Sequence, residues 1–237
     1  MSTHSTHQFA EKVALITDVI DPVGRAVALQ LALNGAFVVV GVPPGSDPND
    51  TVSDLRSLGT LAFAVEADLT SENGRQALIG EVSRNFGRLD LLVNCLKFAS
   101  ESTFVKLTEP IADVGIAGKI SANLLTTRAA FDLMAERPRA RIVNVCTLEA
   151  TDLGSENIEN AVVTGAIEGF TSHLAASLPS NFKANYVTVR TTAVEPVPQA
   201  ELIRPKNSTE PDDIARVVLF LLSSESGSVN GQIVRLG

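Results

Sequence analysis

One alternation constrains this chain more than any other feature. Short, continuous apolar runs rich in Val and Ile are separated by longer stretches with helical patterning, from one end to the other. The run VALIT at 13–17 carries no charged residue, as a strand buried on both faces requires. A helix is predicted from Pro22 to Asn34. AFVVVGV at 36–42 is a second buried strand, stopped by Pro43-Pro44. TVSDLRSLG reads as a helix ended by Gly59, and LAFAVEA at 61–67 as the third strand. The next helix has Ser71 as its N-cap, Glu72 in its first turn and Gly87 at its end. LDLLVNC at 89–95 is the fourth strand, followed by a long helical region over 110–136. RIVNVCT at 141–147 is the fifth, followed by a helix over 157–178 that Pro179 stops. NYVTVRTTAV, EPDDIARVVLFLLS and GQIVRL complete the pattern as strand, helix and strand.

A βαβ repeat of this kind is the signature of a Rossmann-type α/β fold: a doubly wound, parallel, seven-stranded sheet with helices on both faces. No linker, repeat or low-complexity tract interrupts it. Residues 12–237 therefore read as a single domain behind an N-terminal tail at 1–11. A length of 237 residues with 45% hydrophobic content suits one domain with one large core. The net charge of −8 and the lack of long cationic runs argue against nucleic acid and anionic membrane surfaces as partners. No apolar run approaches the ~18 residues of a membrane span, and the first residues lack the apolar stretch of a signal peptide. A cytoplasmic location is expected. His4 and His7 have no Cys or acidic cluster beside them, so no metal site is expected. Cys95 and Cys146 lie in apolar runs and read as buried free thiols.

The loop after the first strand carries the main functional question. It reads Thr17-Asp18-Val19-Ile20-Asp21-Pro22-Val23-Gly24. Asp21-Pro22 is a self-sufficient helix start, an Asp N-cap followed by Pro at the first helical position. Its carboxylate can satisfy the free amides and the positive end of the helix dipole, which a bound phosphate does elsewhere.

With these elements in order, the chain resembles the short-chain dehydrogenase/reductase family over nearly its whole length. LDLLVN at 89–94 is similar to the strand leading into the family's NNAG segment, and Asp68 in EADLT matches its acid beside the adenine. Asn123 in SANLL matches the structural Asn of the catalytic tetrad. GFTSHLAASL resembles the tail of the active-site helix, and SGSVNGQIVRLG the closing strand. The resemblance implies hydride transfer with NAD(P) through a Ser, a Tyr and a Lys four residues after it.

The matched positions depart from that chemistry. Asn160 stands at the Tyr position, Thr164 at the Lys position and Thr147 at the Ser position. Asparagine has no titratable proton, and threonine has no charge with which to depress a neighbour's pKa. The only tyrosine, Tyr186, belongs to the sixth strand. In the family's TGxxxGxG loop, glycines permit a tight turn and close approach of the pyrophosphate. Here Asp18 and Pro22 replace the first two, and only Gly24 remains. Val42 and Pro43 offer no side chain to read the ribose, and NNAG becomes Asn94-Cys95-Leu96-Lys97. Lys97 is placed to pair with Asp18 or to remain solvated. Val194-Glu195 replaces the family's PG, and the proline-rich PVPQAELIRPKNST is short for a closing lid.

Thr17, Asp18, Pro22, Gly24, Asp68 and Asn94 are thus expected to be vestiges of a cofactor site that binds none, and no residue is expected to be catalytic. The resemblance implies a non-catalytic subunit that assembles with an active, NAD(P)-dependent homologue, such as a hydroxyacyl-CoA-type dehydrogenase. A heterotetramer formed through helices 110–136 and 157–178 is the expected assembly, with Gly165, Ala166, Gly169, Phe170 and Leu174 at the contact. Two alternatives stay open. One is an active enzyme with a rewired site using Thr147, Asn123 and either Glu149 or His173. The other is a sensor that binds a metabolite without turnover.

Overall fold

The computed structural model describes residues 8–98, 103–150, 158–192 and 210–236. Seven strands form the sheet: β1 (Val13–Ile16), β2 (Phe37–Val42), β3 (Ala62–Glu66), β4 (Leu91–Phe98), β5 (Ala140–Ala150), β6 (Phe182–Thr192) and β7 (Ile233–Leu236). Their order is β3-β2-β1-β4-β5-β6-β7, and every pairing is parallel. Among the described residues six α-helices connect them: α1 (Pro22–Leu33), α2 (Asn49–Ser57), α3 (Glu72–Phe86), α4 (Gly118–Ala135), α5 (Ile158–Ser177) and α6 (Pro211–Leu222).

Alternate strand residues serve opposite faces. Val38, Val40, Val143 and Val187 pack with the apolar sides of α1, α2 and α6. Val39, Leu92, Ile142 and Ala184 pack under α3 and α4, while Cys146 and Tyr186 pack under α5. Strands covered on both sides must be apolar throughout, which is why their sequence runs are continuous. The fold is thus the doubly wound sheet that the alternation requires.

Several boundaries differ from the sequence expectation. Region 110–136 is not one regular helix. It opens with a π-helical segment, Ile111–Ala117, before α4 begins. Gly115 lies in that segment, and a Cβ there would stand 3.3 Å from a carboxylate oxygen of Glu159, so the missing side chain leaves room for a buried acid. β5 continues to Ala150, beyond the expected end at 147, because it keeps pairing with β6 through Ala150 and Thr192. β6 starts at Phe182, three residues early, on its pairing with Ala140. The folded unit also reaches ahead of residue 12: Phe9 is buried, and its N–H donates to the carbonyl of Asn34.

Candidate functional site

The strand order reverses between β1 and β4, which opens a crevice at the C-terminal ends of the strands. The loop 17–21 enters it from β1, and α1 starts there. The Asp21 side chain caps α1, its Oδ1 accepting from the N–H groups of Val23 (2.8 Å) and Gly24 (3.2 Å). Asp18 holds the loop before the helix in the same manner. Its Oδ1 accepts from Ile20 N (2.8 Å) and, at longer range, Asp21 N (3.4 Å). Val19 N donates to Gly41 O, Arg25 N donates to Asp21 O, and Pro22 has no N–H. Each N–H from Val19 to Arg25 is therefore bonded within the protein. Sequence reasoning anticipated the Asp21 cap but read Asp18 only as an intruding charge.

Gly24 has a packing reason to be glycine. A Cβ there would stand 1.9 Å from the carbonyl oxygen of Asp18 and 3.2 Å from the sulfur of Cys95. Thr17 is buried, and its hydroxyl accepts from Cys95 N at 2.9 Å, tying the start of the loop to β4. Burial, with the Asp21 and Asp18 charges, pushes the Cys95 thiol well above its ordinary pKa. Val42 is buried at the end of β2 and Pro43 is exposed. Asp68 is exposed after β3. Its carboxylate accepts from the hydroxyl (2.6 Å) and N–H (3.0 Å) of Thr70, which hold it below the usual carboxylate range.

Deeper in the crevice lies a polar network that sequence reasoning missed. Asn94 on β4 and Asn144 on β5 are register partners. Asn144 Oδ1 accepts from Asn94 Nδ2 at 2.9 Å and from Asn123 Nδ2 at 3.1 Å. Asn144 Nδ2 donates to the Thr171 hydroxyl of α5 at 2.8 Å, and Asn94 Nδ2 also donates to the Thr127 hydroxyl of α4 at 2.9 Å. One buried amide thus joins β4, α4 and α5. The available signal was a pair of asparagines at matching places in two apolar runs, LLVNC and RIVNVC.

The remaining matched catalytic positions lie on β5 and α5, the elements that carry Asn144 and Thr171. Thr147 is buried toward the C-terminal end of β5, opposite Lys97 of β4 and Val189 of β6. Asn160 and Thr164 lie one turn apart on α5. The Thr164 hydroxyl donates back to Asn160 O at 2.6 Å, so it is spent on its own helix. Next to Asn160, the buried Glu159 forms an ion pair with Lys119 of α4, a second feature that the sequence reading did not identify. Tyr186 is fully buried in the cluster beneath α5, and burial raises its phenol pKa far above the ordinary value. His173 is exposed on α5, within 3.3 Å of the Ser177 hydroxyl. The side chains of Lys97 and Glu149, and the segment from Val194 to Thr209, lie outside the described residues. Among the described residues no group of His, Cys, Asp and Glu could hold a metal ion, and no helix is long and apolar enough to cross a membrane.

Comparison with known proteins follows this geometry. The family model described as enoyl-(acyl carrier protein) reductase matches residues 20–236. A (2S)-[(R)-hydroxy(phenyl)methyl]succinyl-CoA dehydrogenase subunit, BbsD of Thauera aromatica, is 28% identical over 94% of each chain. An acetoacetyl-CoA reductase of Allochromatium vinosum is 26% identical over 93% of this chain and 94% of its own length. Among solved structures, a dehydrogenase/reductase from Sinorhizobium meliloti superposes with a TM-score of 0.84 at 24% identity, covering 98% of this chain and 95% of its own.

Proposed function

The chain belongs to the short-chain dehydrogenase/reductase family, and on that premise we propose that it is a non-catalytic member, a subunit that serves an active NAD(P)-dependent homologue. The observation that carries this reading is the Asp21 cap on α1, with Asp18 bonding the amides of the loop before it. In this fold a dinucleotide's pyrophosphate is held by free amides at the start of the first helix. Here Asp21 occupies the Val23 and Gly24 amides of α1 and Asp18 the Ile20 and Asp21 amides of the loop before it, which adds two carboxylates where the phosphates would sit. The residues present do not fit the cofactor. Asn160 and Thr164 agree with this, since neither can exchange a proton near neutral pH.

A fold kept without its chemistry points to contacts. α5 exposes Gly165 and Gly169 one turn apart, and a Cβ on either would meet no atom of the described residues within 4 Å. Glycine inside a helix costs about 1 kcal/mol relative to alanine, and no packing among the described residues requires it. Val162 on the same helix and Val114 before α4 are exposed, at 42% and 75%. A partner's helices laid on α4 and α5 account for both features, and quasi-symmetric pairing favours a homologue, with two such pairs forming a tetramer. Leu174 is half-buried and packs in part against the chain's own core. The similar protein from Thauera aromatica is itself described as a subunit of a CoA-thioester dehydrogenase, which makes that class of partner the first to test.

The decisive experiment is calorimetric titration of the purified chain with NAD and NADP, followed by assay alone and with a co-purified partner. No heat of binding alone and dehydrogenase activity in the co-purified complex are expected. Micromolar cofactor binding would overturn the reading, indicating an active enzyme with turnover and a sensor without it.

A further inference from the structure

The opposite end of the sheet carries a cationic cluster to which no carboxylate is paired among the described residues. Arg137, Arg139 and Arg141 alternate through the connection from α4 into β5, and Lys183 is the register partner of Arg141 on β6. Asn181 draws these strand entries together. Its side-chain N–H donates to Arg137 O at 2.7 Å, and its own carbonyl accepts from Ala140 N. Arg141 is only 5% exposed. Its Nη1 reaches the carbonyls of Ala140 (3.1 Å) and Asn181 (3.4 Å), and its buried Nε has no acceptor. The Nε of Arg137 is likewise buried without one. Among the described residues no carboxylate pairs with any of the four cations. The nearby Asp90 is already engaged by Lys12 (3.2 Å) and Arg88 (3.6 Å).

This arrangement is costly by itself. A buried guanidinium with an unsatisfied N–H is destabilising, and burial, with like-charge repulsion from Arg139, lowers the pKa of Arg141. The chain has 27 acidic residues against 19 basic ones, yet none among the described residues pairs here. We propose that this edge is an oxyanion site, where Arg137, Arg139, Arg141 and Lys183 receive a phosphate or carboxylate group. Guanidinium forks match both groups, and one such ligand would offset the mutual repulsion. The site lies at the far end of the strands from the crevice, so it stands whether or not the crevice binds a cofactor.

Thermal unfolding of the full chain tests it, with inorganic phosphate and citrate titrated separately against sodium chloride of equal ionic strength. A saturable rise in Tm of roughly 5–10 °C is expected at a hundredfold excess over Kd. A response to phosphate alone assigns a phosphate ligand, and a response to citrate a carboxylate. The variant Arg139→Gln/Lys183→Gln should lose the response; if it fails to fold, Arg139→Gln alone is read in the same way. Equal Tm in all three salts, or an undiminished response in the variant, overturns the proposal.

Discussion

Gly24 shows how a residue matched to a cofactor motif can be held by packing alone. Because a Cβ would meet the Asp18 carbonyl at 1.9 Å, Gly24→Ala must push α1 away from the loop. The expected loss is about 1–3 kcal/mol of stability, measured by urea unfolding. Asp21→Ala removes the acceptor for Val23 and Gly24 and should cost about 0.5–2 kcal/mol. If these carboxylates stand in for a phosphate, neither variant gains cofactor affinity in calorimetry unless Asp18 is also neutralised. Asn144→Leu is expected to be worse than either cap variant. It strands two buried N–H donors, from Asn94 and Asn123, at about 1–3 kcal/mol each. Asn123 matches a catalytic position by sequence, yet its visible bond is to this structural amide.

At the scale of elements, α5 separates stability from assembly. Gly165→Ala and Gly169→Ala each fill open space on an exposed helix face, so each should stabilise the isolated chain by about 0.5–1 kcal/mol. If the face receives a partner's helix, the double variant should nevertheless lose co-purification with the active homologue. A more stable variant that still assembles would count against that interface. The same helix carries the two positions that depart from the family's catalytic pair. Asn160→Tyr/Thr164→Lys is expected to yield no NAD(P)-dependent turnover, because Asp21 would still cap α1 and Asp18 would still hold the loop before it. Initial-rate assays with each cofactor decide this.

The whole molecule should be sensitive to alkali. Burial pushes the Cys146 thiol up to about 12 and raises the Cys95 and Tyr186 groups as well. Between the ordinary thiol pKa of 9.0 and about 12, the unfolded chain loses a proton from Cys146 that the folded chain keeps. The unfolded state then binds fewer protons, so stability falls as pH rises through this window and is fully present below it. Melting curves from pH 8 to 11 should show Tm declining above about pH 9, with a shallower decline in Cys146→Ala. A flat profile would show that the thiols are not held protonated.

The sequence by itself determined whatever depends on spacing along the chain. Continuous apolar runs made buried parallel strands, the Asp21-Pro22 pair started α1, and Ser71 and Gly87 bounded α3 with a side-chain cap and a left-handed residue. Those devices act within three or four residues, where chain geometry alone sets the distance. Only the tertiary structure decided which polar groups meet. Asn94 and Asn144 are 50 residues apart in sequence, and Lys119 and Glu159 are 40 apart. Their contacts depend on strand register and on how α4 and α5 lie on the sheet. The same holds for Arg141 beside Lys183, which no run of charge in the sequence announces. Register is set by the summed packing of both sheet faces, a property of the whole core rather than of any window along the chain.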